Sequence, residues 1–297
     1  MQLNPFDDQA EGLRRMLSRS AARVVTVVGA RSGLGATSVV VNLASAWARD
    51  GKDVLILDEH LSTNNVANSL ALKPRYDLLN VLRGDKTLRE VMLTVTDGIR
   101  ILPVARAMQS LSKLKETESE KLLASLTHAA KNMDIVLVDA AAREGVSVCA
   151  SLSGDEPLVL VLNNTASGIT ESYAMLKQMA LLNGRQSFDI IVNKVNDAAE
   201  ARAIFDNMAQ LAQRNLQVRL EYMGYIPLDE KLKRATQLCH PVVDAFPGAP
   251  CSQAFGAIAH NLTRKKTVNN QDISNITRVM QRLIRQAPLF CRVAATT

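Results

Sequence analysis

Long apolar runs, paired cysteines, clustered histidines and aromatic residues are all scarce in this chain, and each scarcity removes a class of function. No stretch is apolar over the roughly 20 residues that a bilayer-spanning helix needs. Residues 1–20 carry Asp7, Asp8 and Glu11 where a secretion signal is cationic and then apolar, so a cytoplasmic protein is expected. The four cysteines, Cys149, Cys239, Cys251 and Cys291, show neither metal-ligand spacing nor a short disulfide framework, and the four histidines are dispersed. No cysteine or serine sits in a recognisable motif with a base, which argues against covalent nucleophilic chemistry. Aromatics are 4% of the residues, so the core has to be aliphatic.

What is present is enough to bury such a core: 297 residues, 47% of them hydrophobic, which suits one α/β domain with short appendages. A net charge of +6 favours anionic partners, whether membrane lipid, nucleotide or nucleic acid, without choosing among them.

The chain is organised around residues 23–44, RVVTVVGARSGLGATSVVVNLA. Val24, Val25, Val27 and Val28 read as a strand buried on both faces of a parallel sheet, followed by a glycine-bearing loop and a helix start. A phosphate-cradling loop requires flexible glycines, a lysine, and a Ser or Thr hydroxyl for magnesium. Ala30-Arg31-Ser32-Gly33-Leu34-Gly35-Ala36-Thr37-Ser38 keeps Gly33, Gly35 and Thr37 at a helix N-terminus that favours an anion. It lacks glycine at its start and has Ala36 in the lysine position, so the bare pattern is equally that of a plain strand-turn-helix connection.

Downstream, strand-like runs alternate with helical ones. Val54–Leu57 ends in Asp58-Glu59-His60, and Ile135–Val138 ends in Asp139. Acidic residues at such strand tips stand in the ligand crevice of a doubly wound sheet, and Asp139 could hold magnesium through water opposite Thr37. Short helices are expected over 64–72 and 77–82, and a strand over 99–103. Further helices are expected over 38–49, 116–132, 169–182, 198–214, 231–238 and 251–262, with strands at 158–162, 190–192 and near Tyr222–Asp229, and Asn193-Lys194 following its strand. This rhythm predicts a doubly wound, mainly parallel sheet with right-handed crossovers and helices on both faces.

Two appendages flank residues 23–263. In residues 1–22, Ala10, Leu13, Met16 and Leu17 fall on one side of a short helix capped by Asp7 or Asp8, suited to packing on the domain or to another protein's groove. In residues 264–297, Arg264-Lys265-Lys266 reads as a solvated linker. Beyond it Ile273, Ile276, Met280, Leu283, Ile284 and Ala287 recur at helical spacing beside Arg278, Arg282 and Arg285. That basic amphipathic helix fits a membrane surface or a seat on the domain's own core, and Pro288 ends it.

Together these residues resemble the MinD/ParA class of P-loop ATPases over nearly the whole chain, and within it the FlhG (FleN) group of flagellar-number regulators. The resemblance rests on the loop, the two acidic strand tips, Gly224-Tyr225-Ile226-Pro227-Leu228-Asp229, the stretches 167–174 and 243–247, and Asp8-Gln9-Ala10 with Leu13-Arg14, which matches a DQAxxLR helix. It implies an ATP-gated switch that dimerises face to face, meets the inner face of the cell membrane through Ile276, Met280, Leu283 and Ile284, and limits flagellar number. Asp8, Gln9, Ala10, Leu13 and Arg14 would contact FlhF, a signal-recognition-type GTPase, and stimulate it. Residues 30–38 would contact ATP or ADP; Asn193, Pro227 and Asp229 would border adenine; Thr37, Asp58 and Asp139 would surround Mg2+.

The chain departs from that pattern at costly places. The phosphate lysine is Ala36, the dimer-crossing signature lysine is Arg31, the water-orienting carboxylate is His60, and the small switch residue after Asp139 is Arg143. Positioning and charge stabilisation are most of phosphoryl-transfer catalysis, so weak nucleotide binding and little or no hydrolysis are expected. Two rival readings stay open: a working ATPase switch at the membrane with Arg31 acting across a dimer, and a ParA-like DNA-binding partition or localisation protein, against which the DQA helix speaks.

Overall fold

The computed structural model describes residues 22–110, 113–141 and 156–265. The partner-helix residues Asp8, Gln9, Ala10, Leu13 and Arg14, the membrane-helix residues Ile276, Met280, Leu283 and Ile284, and Arg143 all lie outside the described residues.

Eight strands form one sheet: β1 (Arg23–Gly29), β2 (Val54–Asp58), β3 (Leu93–Thr96), β4 (Ile99–Pro103), β5 (Ile135–Ala140), β6 (Leu158–Asn163), β7 (Ser187–Val195) and β8 (Arg219–Pro227). Their order is β3-β4-β2-β5-β1-β6-β7-β8, and all pair in parallel except β3 with β4. β1 lies between β5 and β6, where the chain's winding changes direction. That switch point is where an open α/β sheet leaves a crevice.

The central strands read as continuous aliphatic runs because helices cover both faces. One face packs Leu122 and Leu126 of α6 (Glu116–Ala130), Met175 of α7 (Ala166–Asn183) and Phe205 of α8 (Ala198–Leu216) on Val24, Val28 and Val136. The same face carries α3 (Leu78–Leu82), α4 (Leu88–Val91) and α5 (Ala105–Ser110). The other packs α1 (Ala36–Arg49), α2 (Val66–Ser69), α9 (Glu230–Gln237), α10 (Val242–Ala245) and α11 (Pro250–Arg264) on Val25, Val27 and Leu137. Trp47, the chain's single tryptophan, is buried in that layer and donates its Nε1 hydrogen to Ala259 O (3.2 Å) and Thr263 Oγ1 (2.9 Å), tying α1 to α11.

Several expectations are revised. β3 is a short, half-exposed edge strand whose side chains alternate, too weak a pattern to read from the sequence. Helices α4 and α5 are also extra; α4 owes its existence to a capping box of Thr87 and Glu90. Asn193 and Lys194 fall inside β7 rather than after it. Lys265, expected in a solvated linker, is instead ion-paired with Asp189 and with Glu221 (3.0 Å), and its carbonyl accepts from Arg23 (2.6 Å).

Candidate functional site

A cleft of about 760 Å³ opens at the carboxyl ends of the central strands, walled by the 31–38 loop on one side and by α9 on the other. The loop's shape depends on two glycines. Gly33 and Gly35 take φ values of +91° and +96°, a left-handed conformation that side-chain-bearing residues resist. A Cβ on Gly35 would also stand 2.3 Å from Asn193 Nδ2. Gly35 directly precedes α1, so its conformation delivers the loop into the helix N-terminus.

Behind the loop lie the acidic strand tips. Thr37 Oγ1 donates to Asp139 Oδ2 at 2.8 Å, joining two of the three groups expected around magnesium. Asp58 accepts backbone hydrogens from His60 (3.0 Å) and Val66 (2.9 Å), and so fixes the turn leaving β2. Asp58, Glu59 and Asp139 are all buried, at 2%, 3% and 0% exposure. The nearby cation-forming group is His60, whose Nε2 stands 3.5 Å from Asp139 Oδ1. Burial, and then the charge of Asp139, push the Asp58 carboxyl up to about 7. Burial alone would lower the His60 imidazole, but contact with Asp139 and the charges of Asp58 and Glu59 outweigh it and raise its affinity for a proton. Hard oxygen donors of this kind suit a magnesium ion.

At the other end of the cleft, Asn193 Nδ2 donates to Leu34 O at 2.8 Å, while Asn193 Oδ1 is buried and without a hydrogen-bond partner. A buried amide oxygen in that state calls for a donor from whatever fills the cleft. Pro227 and Asp229 line the same end; Asp229 accepts from Lys231 N (2.8 Å) and thereby caps α9. Arg31, Ser32, Gly33, Gly35, Ala36, Thr37 and Ser38 line the cleft, as does His60. Leu34 is fully buried and contributes its backbone; Ala30, Asp58 and Asp139 sit behind the lining. Arg31 is held within its own chain, Nε on Glu171 Oε2 at 2.8 Å and Nη2 on Ser167 Oγ at 3.2 Å.

Two contributors escaped the reading of the sequence. The α9 wall, through Leu232, Lys233 and Thr236, is remote in sequence and bears no motif. Glu59, whose Oε2 accepts from Ala141 N at 3.1 Å, looks like any acidic residue at a strand end until its burial is known.

The CobQ/CobB/MinD/ParA nucleotide binding domain matches residues 25–242. The chain belongs to the MinD/ParA nucleotide-binding family. Among its relatives, the antiactivator FleN of Pseudomonas aeruginosa is 34% identical over 84% of this chain and 89% of its own length, which makes the chain an FleN/FlhG-type member. The flagellum site-determining protein YlxH of Helicobacter pylori is 22% identical over 84% of each chain. Solved MinD structures share the fold. MinD in the Aquifex aeolicus MinC:MinD cell division complex aligns with TM-score 0.64 and 23% identity over 84% of this chain and 99% of that one. Pyrococcus horikoshii MinD complexed with Mg-ADP aligns with TM-score 0.62 and 22% identity over 82% and 96%. The MinD/ParA-like doubly wound fold expected from the sequence is thus borne out.

Proposed function

We propose that this protein regulates flagellar number and placement as an FleN/FlhG-type regulator, acting on an FlhF-like GTPase through residues 8–14 and on the membrane surface through its C-terminal helix. Its nucleotide site is weakened rather than lost. The observation that carries this reading is the divided state of the cleft: the backbone cradle and the acidic strand tips are present, while the phosphate lysine and the water-orienting carboxylate are replaced by Ala36 and His60. Gly33 and Gly35 take left-handed turns, Thr37 bonds to Asp139, and Asn193, which lines the cleft, has a buried side-chain oxygen without a hydrogen-bond partner. These features fit a magnesium–adenine nucleotide. Thr37, with Asp139 behind it, would hold the ion, whose charge offsets that of the phosphates, and residues 33–38 would wrap the phosphates.

Hydrolysis is a different demand. Ala36 brings no ammonium to the loop, and the position of the water-orienting carboxylate holds His60, which faces Asp139 and binds a proton more tightly than an ordinary imidazole. Arg31, the residue that would reach across a dimer, is engaged by Glu171 and Ser167.

The test uses the full chain with the FlhF-type GTPase of the same organism. Stimulated GTP turnover that is lost in Gln9→Ala and Leu13→Ala, alongside ATP hydrolysis near background, is expected. ATP turnover abolished by Thr37→Ala with Asp139→Ala would overturn the weakened-site reading and restore an active switch. Strongly salt-dependent DNA binding would favour the partition-protein reading.

A further inference from the structure

Ala36 leaves the loop without an ammonium of its own, yet a lysine reaches the same loop from another strand. Lys194 lies near the end of β7, at a register shift between Asn193 and Val195 opposite Ile226 and Pro227. Its φ is +61°, unusual for a residue with a long side chain. In a regular strand, neighbouring side chains leave opposite faces. The bulge turns Lys194 to the side of Asn193, so the two donate to successive loop carbonyls: Asn193 Nδ2 to Leu34 O and Lys194 Nζ to Gly33 O, each at 2.8 Å. Bulges next to binding sites commonly re-aim a side chain in this way.

Among the described residues, the other cations lining the cleft are committed elsewhere. Arg31 is on Glu171 and Ser167, His60 faces Asp139, and Lys233 pairs with Glu230 at 3.7 Å. Lys194 lines the cleft and, among the described residues, has no carboxylate within ion-pair distance. An ammonium carries three N–H donors, and the Gly33 carbonyl takes one.

We propose that Lys194 is a displaced phosphate lysine, supplying in cis from β7 the positive charge for a nucleoside di- or triphosphate that the loop lost at Ala36. The inference rests on the nucleotide reading of the cleft and assigns its phosphate charge to a residue outside the loop. Lys194 is here a binding residue, and the left-handed bulge is the backbone feature that aims it.

Calorimetric titration of the full chain with Mg-ADP and Mg-ATP tests it, with thermal unfolding confirming that each variant is folded. Lys194→Met is expected to weaken both nucleotides by about tenfold or more, the scale of a charge-assisted hydrogen bond. Lys194→Gln keeps a donor for Gly33 O without the charge and should lose as much, whereas Lys194→Arg should lose little. Adding Ala36→Lys to Lys194→Met should restore binding. Gln binding as well as the native lysine would overturn the proposal by making Lys194 a brace for the loop, and so would unchanged affinity in Lys194→Met. A native chain that binds neither nucleotide overturns the nucleotide reading itself, and with it this assignment; binding by the native chain that survives Lys194→Met removes the assignment alone.

Discussion

The two ends of the sheet each hold a cluster of buried charge, and the two clusters are balanced differently. At the amino ends of the strands, Asp189 (1% exposed) is paired with Lys265, which also meets Glu221, while Arg23 donates to the carbonyls of Thr263 and Lys265. Acids and bases there match one another, and the result closes α11 onto β7 and β8. At the carboxyl ends, Asp58 and Asp139 are buried close enough to repel each other, and among the described residues the ion pair they make is that of Asp139 with His60. A buried cluster left short of one sign of charge is characteristic of a site that binds its complement, whereas a matched cluster holds structure.

The largest effect that sharpens this contrast is expected at the matched end. Lys265→Met strands the buried Asp189 carboxylate, and unfolding by denaturant should show a loss of about 3 kcal/mol. The opposite sign is expected at the cleft. Asp139→Asn relieves repulsion against Asp58 while leaving Thr37 an acceptor, so stability should hold or rise by about 1 kcal/mol even as magnesium-dependent nucleotide binding is lost. A loss of stability comparable to that of Lys265→Met would erase the distinction between the two clusters.

In the loop, Gly35→Ala meets both an unfavourable φ and Asn193 at 2.3 Å, and about 2–3 kcal/mol of destabilisation is expected. Gly33→Ala meets the φ penalty in open space and should cost about 1 kcal/mol.

A pH series without magnesium adds a test of comparable size. The Asp58 carboxyl is raised to about 7 in the folded protein from an unfolded value near 3.9. Folding therefore binds a proton there: the contribution is full below about pH 4 and is lost as pH rises toward 7, on the order of 4 kcal/mol. The raised His60 acts in the same direction over the upper part of that window. Equilibrium unfolding from pH 4 to 8 should show the decline, and Asp139→Asn should flatten it. A flat native profile would mean that the cluster carries no excess negative charge.

Much of the fold was legible because its signals are local. Valine-rich runs such as Val24–Val28 are long enough, and apolar enough on both faces, to declare parallel strands, and Asp58 and Asp139 announce their crevice by standing at strand tips. Helix ends were displaced where capping chemistry outran the apolar pattern: Thr165 caps α7, which begins at Ala166, three residues before the first expected residue, Ile169. The edge strand β3 was illegible because half its side chains face water and its pairing comes from β4. Of the candidate site, the loop and the magnesium residues were readable as a motif, whereas the α9 wall and the burial of Glu59 were not, since nothing local marks them.

The sequence by itself determined the parallel aliphatic sheet, the left-handed glycines of the loop, and the replacement of its lysine by Ala36, because each is a property of a residue and its immediate neighbours. Tertiary structure alone decided where charge ends up. Only folding places Glu171 on Arg31, pairs Lys265 with Asp189 across 76 residues, and brings Lys194 to Gly33 across 161. Electrostatic balance is a sum over groups close in space, and the chain order of those groups carries almost none of it.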